Sequence, residues 1–265
     1  MFSFYCKKLL RCPATYAAAL LFFASLVFSV SEYPNWIDPV SYWNPLFLYE
    51  VSMNLGVTIW FIPVVTVLPI CFVRKELSRG GVWQLPLLRT SPSRFALGGL
   101  GAACLSGAIV TLLGVSLFFL VGFLRAGGTL IRNYTLMGDG GWPVGDFRSG
   151  RSYIEVAFIE LTGLIGMSVI YPAAAYLISG FSDNQYLCAA SPFLLYSLAL
   201  YSFQRLAYYV DWRFIWLDPA RLNPMANPFN TLRLALLYSL TFISAVMIVC
   251  AVLFCRQLKR RLNNG

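Results

Sequence analysis

The chain has 265 residues, 58% of them hydrophobic and only 12% charged, against about 25% charged in ordinary soluble domains. That leaves too little polar chain to solvate the outside of a soluble fold. There is no histidine, which removes the ligand or base needed by intramembrane metalloproteases, rhomboid-type Ser/His proteases and haem-b carriers.

Six stretches run for twenty or more residues without a charged side chain: 12–31, 51–73, 95–124, 161–182, 184–204 and 234–255. An α-helix rises ~1.5 Å per residue, so about 20 apolar residues cross a hydrocarbon core ~30 Å thick. The expected fold is all-α: a polytopic bundle of six transmembrane helices forming one domain over 1–265. The spans are placed at approximately 13–31, 52–73, 95–124, 155–180, 186–204 and 232–255.

The first span follows Lys7, Lys8 and Arg11 and ends in Ser29-Val30-Ser31, which also resembles a signal peptide with a small-x-small cleavage site. Its length exceeds a usual signal core, and an uncleaved helix is the expectation. Residues 32–50, rich in aromatics and proline, are expected along the membrane interface. Span two contains Pro63 and Pro69, span four Pro172 and span five Pro192, all positions for kinks. Gly56, Gly114, Gly163 and Gly166 are expected to permit close helix packing.

The segment after span two holds Arg74, Lys75, Arg79, Arg89 and Arg94 together with Val82, Trp83, Leu85, Leu87 and Leu88. Two readings of its residues stand side by side. One is a short helix presenting apolar side chains to a cytoplasmic partner; the other is a basic linker on anionic lipid with Trp83 as anchor.

Residues 125–153 carry Gly127-Gly128 and Gly138-Asp139-Gly140-Gly141, which read as turns. No Lys-Ser/Thr follows these glycines, so they are not a phosphate loop, and no such loop occurs anywhere in the chain. Glu155 and Glu160 stand at the start of span four, about 140° apart around the helix and so not a catalytic pair. They are candidates for a polar lining of a translocation path, or helix-end carboxylates stabilised by the helix dipole and by Arg148 or Arg151.

Spans four and five form a tight hairpin around Asp183. Residues 205–230, with Tyr208, Tyr209, Trp212, Phe214, Ile215 and Trp216, are too polar to span and too aromatic for free water. They are expected as re-entrant outer helices between spans five and six.

Orientation follows from the basic residues. With the N-terminus inside, twelve of the 20 Lys and Arg fall on the inner side, from Lys7, Lys8 and Arg11 to Arg256, Lys259, Arg260 and Arg261. The positive-inside rule then places both termini in the cytoplasm of a cell (plasma) membrane protein. Trp36, Trp43, Trp142, Trp212 and Trp216 all fall in outer segments, where the headgroup layer favours them. The net charge of +9 is spent on this asymmetry, and no nucleic acid is expected. None of the seven cysteines lies in an outer loop and none forms a CxxC pair, so neither a disulfide framework nor a metal site is expected.

One pattern is more specific. A basic-Glu-x-x-x-Gly stretch, an apolar patch and Arg-x-Ser-x-x-x-Phe running into span three comprise Glu76, Gly80, Leu85, Leu88, Arg89, Ser91, Arg94 and Phe95, followed by Gly98, Gly101 and Gly107. This resembles permease subunits of ATP-binding-cassette (ABC) exporters of the type-2 class. Where many members carry a lysine at the start of span three, this chain has Gly98-Gly99, and Pro86 interrupts any long helix in the segment.

The resemblance implies a permease with no chemistry or cofactor of its own. It would pair with a second copy or a paralogue. A separate cytoplasmic ATP-binding subunit would dock on a coupling segment at 74–94 through Glu76, Gly80, Trp83, Leu87, Leu88 and Arg89. The competing classes are a stand-alone membrane immunity, regulatory or assembly protein and an ion-coupled carrier.

Overall fold

The computed structural model describes residues 2–31, 45, 48–49, 52, 58–79, 91–125, 153–182, 184–219 and 232–263. Among them every regular element is a helix: α1 (Phe2–Arg11), α2 (Pro13–Ser31), α3 (Thr58–Val65), α4 (Leu68–Arg79), α5 (Pro92–Arg125), α6 (Tyr153–Ile178), α7 (Gln185–Tyr209), a 3-10 turn η1 (Trp212–Leu217) and α8 (Leu232–Asn263). Five stretches within them are long and apolar enough to cross a membrane: Pro13–Ser31, Ser93–Arg125, Leu161–Ile178, Gln185–Tyr209 and Leu236–Arg260. The architecture is that of a multi-pass helical membrane protein.

Phe2–Arg11 form a helix that charge counting alone does not reveal. Tyr5 and Leu9, one turn apart, are buried, while Lys7 and Arg11 stay outside. The helix packs against α5 and α4. It stops at Cys12, because Pro13 lacks an N–H to continue it but suits the first position of α2. The carbonyl of Leu9 accepts from the Cys12 N–H at 3.2 Å and from the Thr15 hydroxyl at 2.6 Å, so the break leaves it satisfied.

The predicted second span, 52–73, is divided. Its described part is α3 and α4, eight and twelve residues long, separated at Thr66–Val67. Pro69 has no N–H to give to the carbonyl four residues back, which weakens the ladder at this point. Thr66 closes α3 just before it, its N–H and its hydroxyl both donating to Ile62 O, at 3.1 and 2.7 Å. At its other end α3 is fastened to α2: the Thr58 N–H donates to Ser29 Oγ at 3.2 Å, and the Thr58 hydroxyl donates to Ser25 O at 3.1 Å. A helix start without water needs such a partner for its free N–H groups. Pro172 and Pro192, by contrast, lie inside continuous helices.

α5 is the hub. It contacts α1, α2, α4, α6 and α8, with its most extensive interface against α6. At Gly107 the absence of a side chain lets α5 lie directly on the backbone of α6: an added β-carbon would overlap the carbonyl oxygen of Ser168 and stand 3.0 Å from Pro172 Cγ. Phe22, Leu26, Val110, Leu164 and Met167 fill the core around this crossing. The outward faces of α7 and α8 leave Leu194, Leu198, Leu237, Leu240, Ile248 and Val252 exposed, as expected for helices solvated by lipid tails.

After α7, the chain turns back as η1, which packs on α7. The Tyr238 hydroxyl of α8 donates to the carbonyl of Trp216, and the two rings meet edge to face. This is the described part of the predicted outer segment 205–230; its first five residues belong to α7, and residues 220–230 lie outside the described residues.

Candidate functional site

At the basic end of the bundle a cavity of about 250 Å³ opens between α4, the C-terminal end of α6 and the first turn of α7. α4 supplies Ile70, Cys71, Arg74 and Lys75. Their spacing of one, four and five residues keeps them on one side of a helix of 3.6 residues per turn. α6 supplies Ala175, Tyr176 and Ser179, and the hairpin into α7 supplies Ser182, Gln185 and Cys188.

The hairpin is held locally. Ser182 N donates to Ile178 O at 3.0 Å, and Asn184 N donates to Ser182 Oγ at 3.1 Å. The Asn184 side chain then caps α7, accepting from the N–H groups of Tyr186 and Leu187 at 3.0 and 3.4 Å, as an N-cap asparagine does. The Cys188 thiol points back to Ser182 O at 3.6 Å.

Arg74 is the most constrained charge here. Half-buried, it donates to Ser179 O at 3.4 Å and lies over the Tyr176 ring, 5.5 Å from the centroid. Both contacts suit a cation at a helix C-terminus and on an aromatic face. Tyr176 itself is completely buried and stacks on Phe254 of α8, ring centres 4.4 Å apart. Its hydroxyl fits against Gly99, where an added β-carbon would overlap it. Gly99 is therefore the point where α5 makes room for this ring. Tyr5 completes the cluster. Burial raises its phenol pKa and the positive charge of Arg74 partly offsets the rise; the hydroxyls of Tyr5 and Tyr176 both lack a partner at hydrogen-bonding geometry.

Of the coupling residues expected from sequence, Glu76 is described. It stands on α4, 62% exposed, with its carboxylate 3.4 Å from Lys8 of α1. An exposed pair of this kind contributes roughly 0–1 kcal/mol. Gly80, Trp83, Leu87, Leu88 and Arg89 lie outside the described residues. Glu155 and Glu160 are helical within α6, with side chains outside the described set. The motif residues that enter α5 have local roles. Ser91 Oγ accepts from Arg94 N at 3.4 Å, and Phe95, 2% exposed, meets Tyr5 edge to face at 6.1 Å.

The cavity was not anticipated. The charge pattern assigns Arg74 and Lys75 to a connecting segment, whereas α4 carries them as a continuous helix to Arg79. The available signal was the helical spacing of Ile70, Val73 and Arg74 across the end of the apolar run at residue 73.

The fold and this site together define a multi-pass membrane protein with a basic, partly enclosed cavity at one end. No known protein family matches the chain, and neither does any curated protein or solved structure.

Proposed function

We propose that the chain is the membrane permease subunit of an ABC-type exporter, driven by ATP hydrolysis in a separate cytoplasmic subunit. The observation that supports this reading is the sequence pattern from Glu76 to Phe95, which begins on α4 and ends on α5. In this reading α3 and α4 make one broken second span, giving six crossings with both termini in the cytoplasm. Residues 205–230 dip into the outer leaflet. The chain works as a pair, and it performs no chemistry of its own. ATP binding would shift the bundle between two states by differential contacts at the coupling segment.

The decisive experiment truncates Trp83 and Leu87 to alanine together and measures co-purification of an ATPase chain and ATP-dependent transport at matched expression. Burying such side chains is worth roughly 1.5–3 kcal/mol each, so docking is expected to weaken by about ten-fold or more. Glu76→Lys alone would set two lysines against each other, because Glu76 already pairs with Lys8. The swap Lys8→Glu with Glu76→Lys restores that pair while inverting the charge offered to a partner. Unchanged ATPase recovery in both sets would sink the coupling role and favour a stand-alone membrane protein.

Orientation has its own test. A membrane-impermeant maleimide added to intact cells is expected to label none of the seven cysteines strongly. Strong labelling of Cys6, Cys12 or Cys255 from outside would reverse the assignment.

A further inference from the structure

We propose that the cavity between α4, α6 and α7 binds a phosphate-bearing anion, of the kind carried by an anionic phospholipid headgroup or by a soluble phosphoester. The inference stands apart from the permease reading and needs only the described bundle.

Two cationic side chains, Arg74 and Lys75, line the cavity, and no Asp or Glu is among its described lining residues; Asp183, next to Ser182, lies outside the described residues. Arg74 makes no ion pair among the described residues. Its donors there reach the Ser179 carbonyl in a long contact and come near the Tyr5 hydroxyl, although a guanidinium has five N–H donors. A half-buried cation at the end of a lipid-embedded bundle is costly without an anion nearby. Arg74 is also held in place, by the Ser179 carbonyl and the Tyr176 ring, so little side-chain freedom remains to be lost on binding.

The remaining lining suits an oxyanion. Ser182 and Gln185 contribute polar side chains, and Gln185 opens α7, whose dipole adds partial positive charge at this end although Asn184 caps two of its N–H groups. The volume, about 250 Å³, far exceeds the ~10–15 Å³ that one water requires. Ile70 and Ala175 supply an apolar side to the same space. Basic pockets between membrane helices suit such headgroups, because the charge lies near the lipid phosphate layer.

The test uses the full chain purified in mild detergent at about 0.15 M salt, where loose surface attraction is screened beyond ~8 Å. Thermal unfolding midpoints and lipid retention in native mass spectrometry are recorded with phosphatidylglycerol, phosphatidylcholine, glycerol 3-phosphate and inorganic phosphate. Phosphatidylglycerol is expected to raise the midpoint and remain bound, with phosphatidylcholine doing neither. R74Q/K75Q is expected to weaken this response roughly ten-fold or more. Q185E, which adds a carboxylate to the lining while leaving Arg74 and its contacts in place, should do the same.

A response to glycerol 3-phosphate or inorganic phosphate that exceeds the lipid's and disappears in the variants keeps the site and assigns it a soluble occupant. Should R74Q/K75Q not fold, Q185E decides. Equal responses of wild type and Q185E to every probe, or equal stabilisation by phosphatidylcholine, overturn the proposal.

Discussion

Replacing Gly107 with alanine is expected to destabilise the bundle by ~1–3 kcal/mol or more, the usual range for overpacking, whereas Gly166→Ala should cost less than about 1.5 kcal/mol, as tolerated core changes do. The difference lies in what the new methyl group meets. At Gly107 it would strike the carbonyl oxygen of Ser168 and the ring of Pro172. Neither has a side-chain torsion to turn, so α5 and α6 must move apart along their whole crossing. Close-packed helices lose dispersion contacts quickly with separation. At Gly166 the obstacle is Ile243 Cδ1 at 2.7 Å, the far end of a flexible side chain. Unfolding of both variants in the same detergent, by heat or by SDS titration, gives the comparison. If Gly107→Ala is as stable as wild type, the α5–α6 crossing described here is wrong.

The second large effect is expected at Tyr176. Tyr176→Ala should cost ~3–5 kcal/mol, the range for deleting a buried aromatic ring. It empties a completely buried position, ends the stack on Phe254 and leaves Arg74 without the ring beneath it. Tyr176→Phe should be far milder, because the hydroxyl it removes lies near that of Tyr5 without a hydrogen bond of full geometry to offset its desolvation. Gly99 supplies the cross-check. Gly99→Ala collides with the Tyr176 ring and hydroxyl, so it should destabilise the wild-type background and be milder in Tyr176→Ala. The coupling between the two sites, measured as a double-mutant cycle, is expected at 0.5–3 kcal/mol, the order seen for residues in contact. Additive behaviour would mean that Gly99 and Tyr176 do not touch.

Length and charge made much of the bundle readable. The span placed at 13–31 coincides with α2, and those at 95–124, 155–180 and 232–255 fall on α5, α6 and α8. The ends were less legible, because helices do not stop where apolar residues do. α7 continues through Arg205, Tyr208 and Tyr209, and α8 carries Arg256, Lys259 and Arg260 as further turns. Pro63 and Pro69 signalled a disturbed second span, but not that the break would fall at Thr66–Val67, where the Thr66 N–H and hydroxyl both close on Ile62 O. The cavity was beyond reach for a different reason. Arg74 and Ser179 are 105 positions apart, and nothing local to either announces the other. Glu76 had been singled out from its motif, while its pairing with Lys8 depended on α1 being a helix docked beside α4.

α5 has 34 residues, which at ~1.5 Å each makes a rod of about 51 Å, well beyond a hydrocarbon core of ~30 Å. Such a rod meets the bilayer by leaning, or by carrying apolar turns out of it. One end is not free to adjust, since α1 lies along it with Tyr5 against Phe95. Bilayer thickness therefore becomes an input to the protein: a thicker leaflet pair favours an upright hub, a thinner one a slanted hub. Each of the four other described helices packed on α5 besides α1 inherits that change of angle.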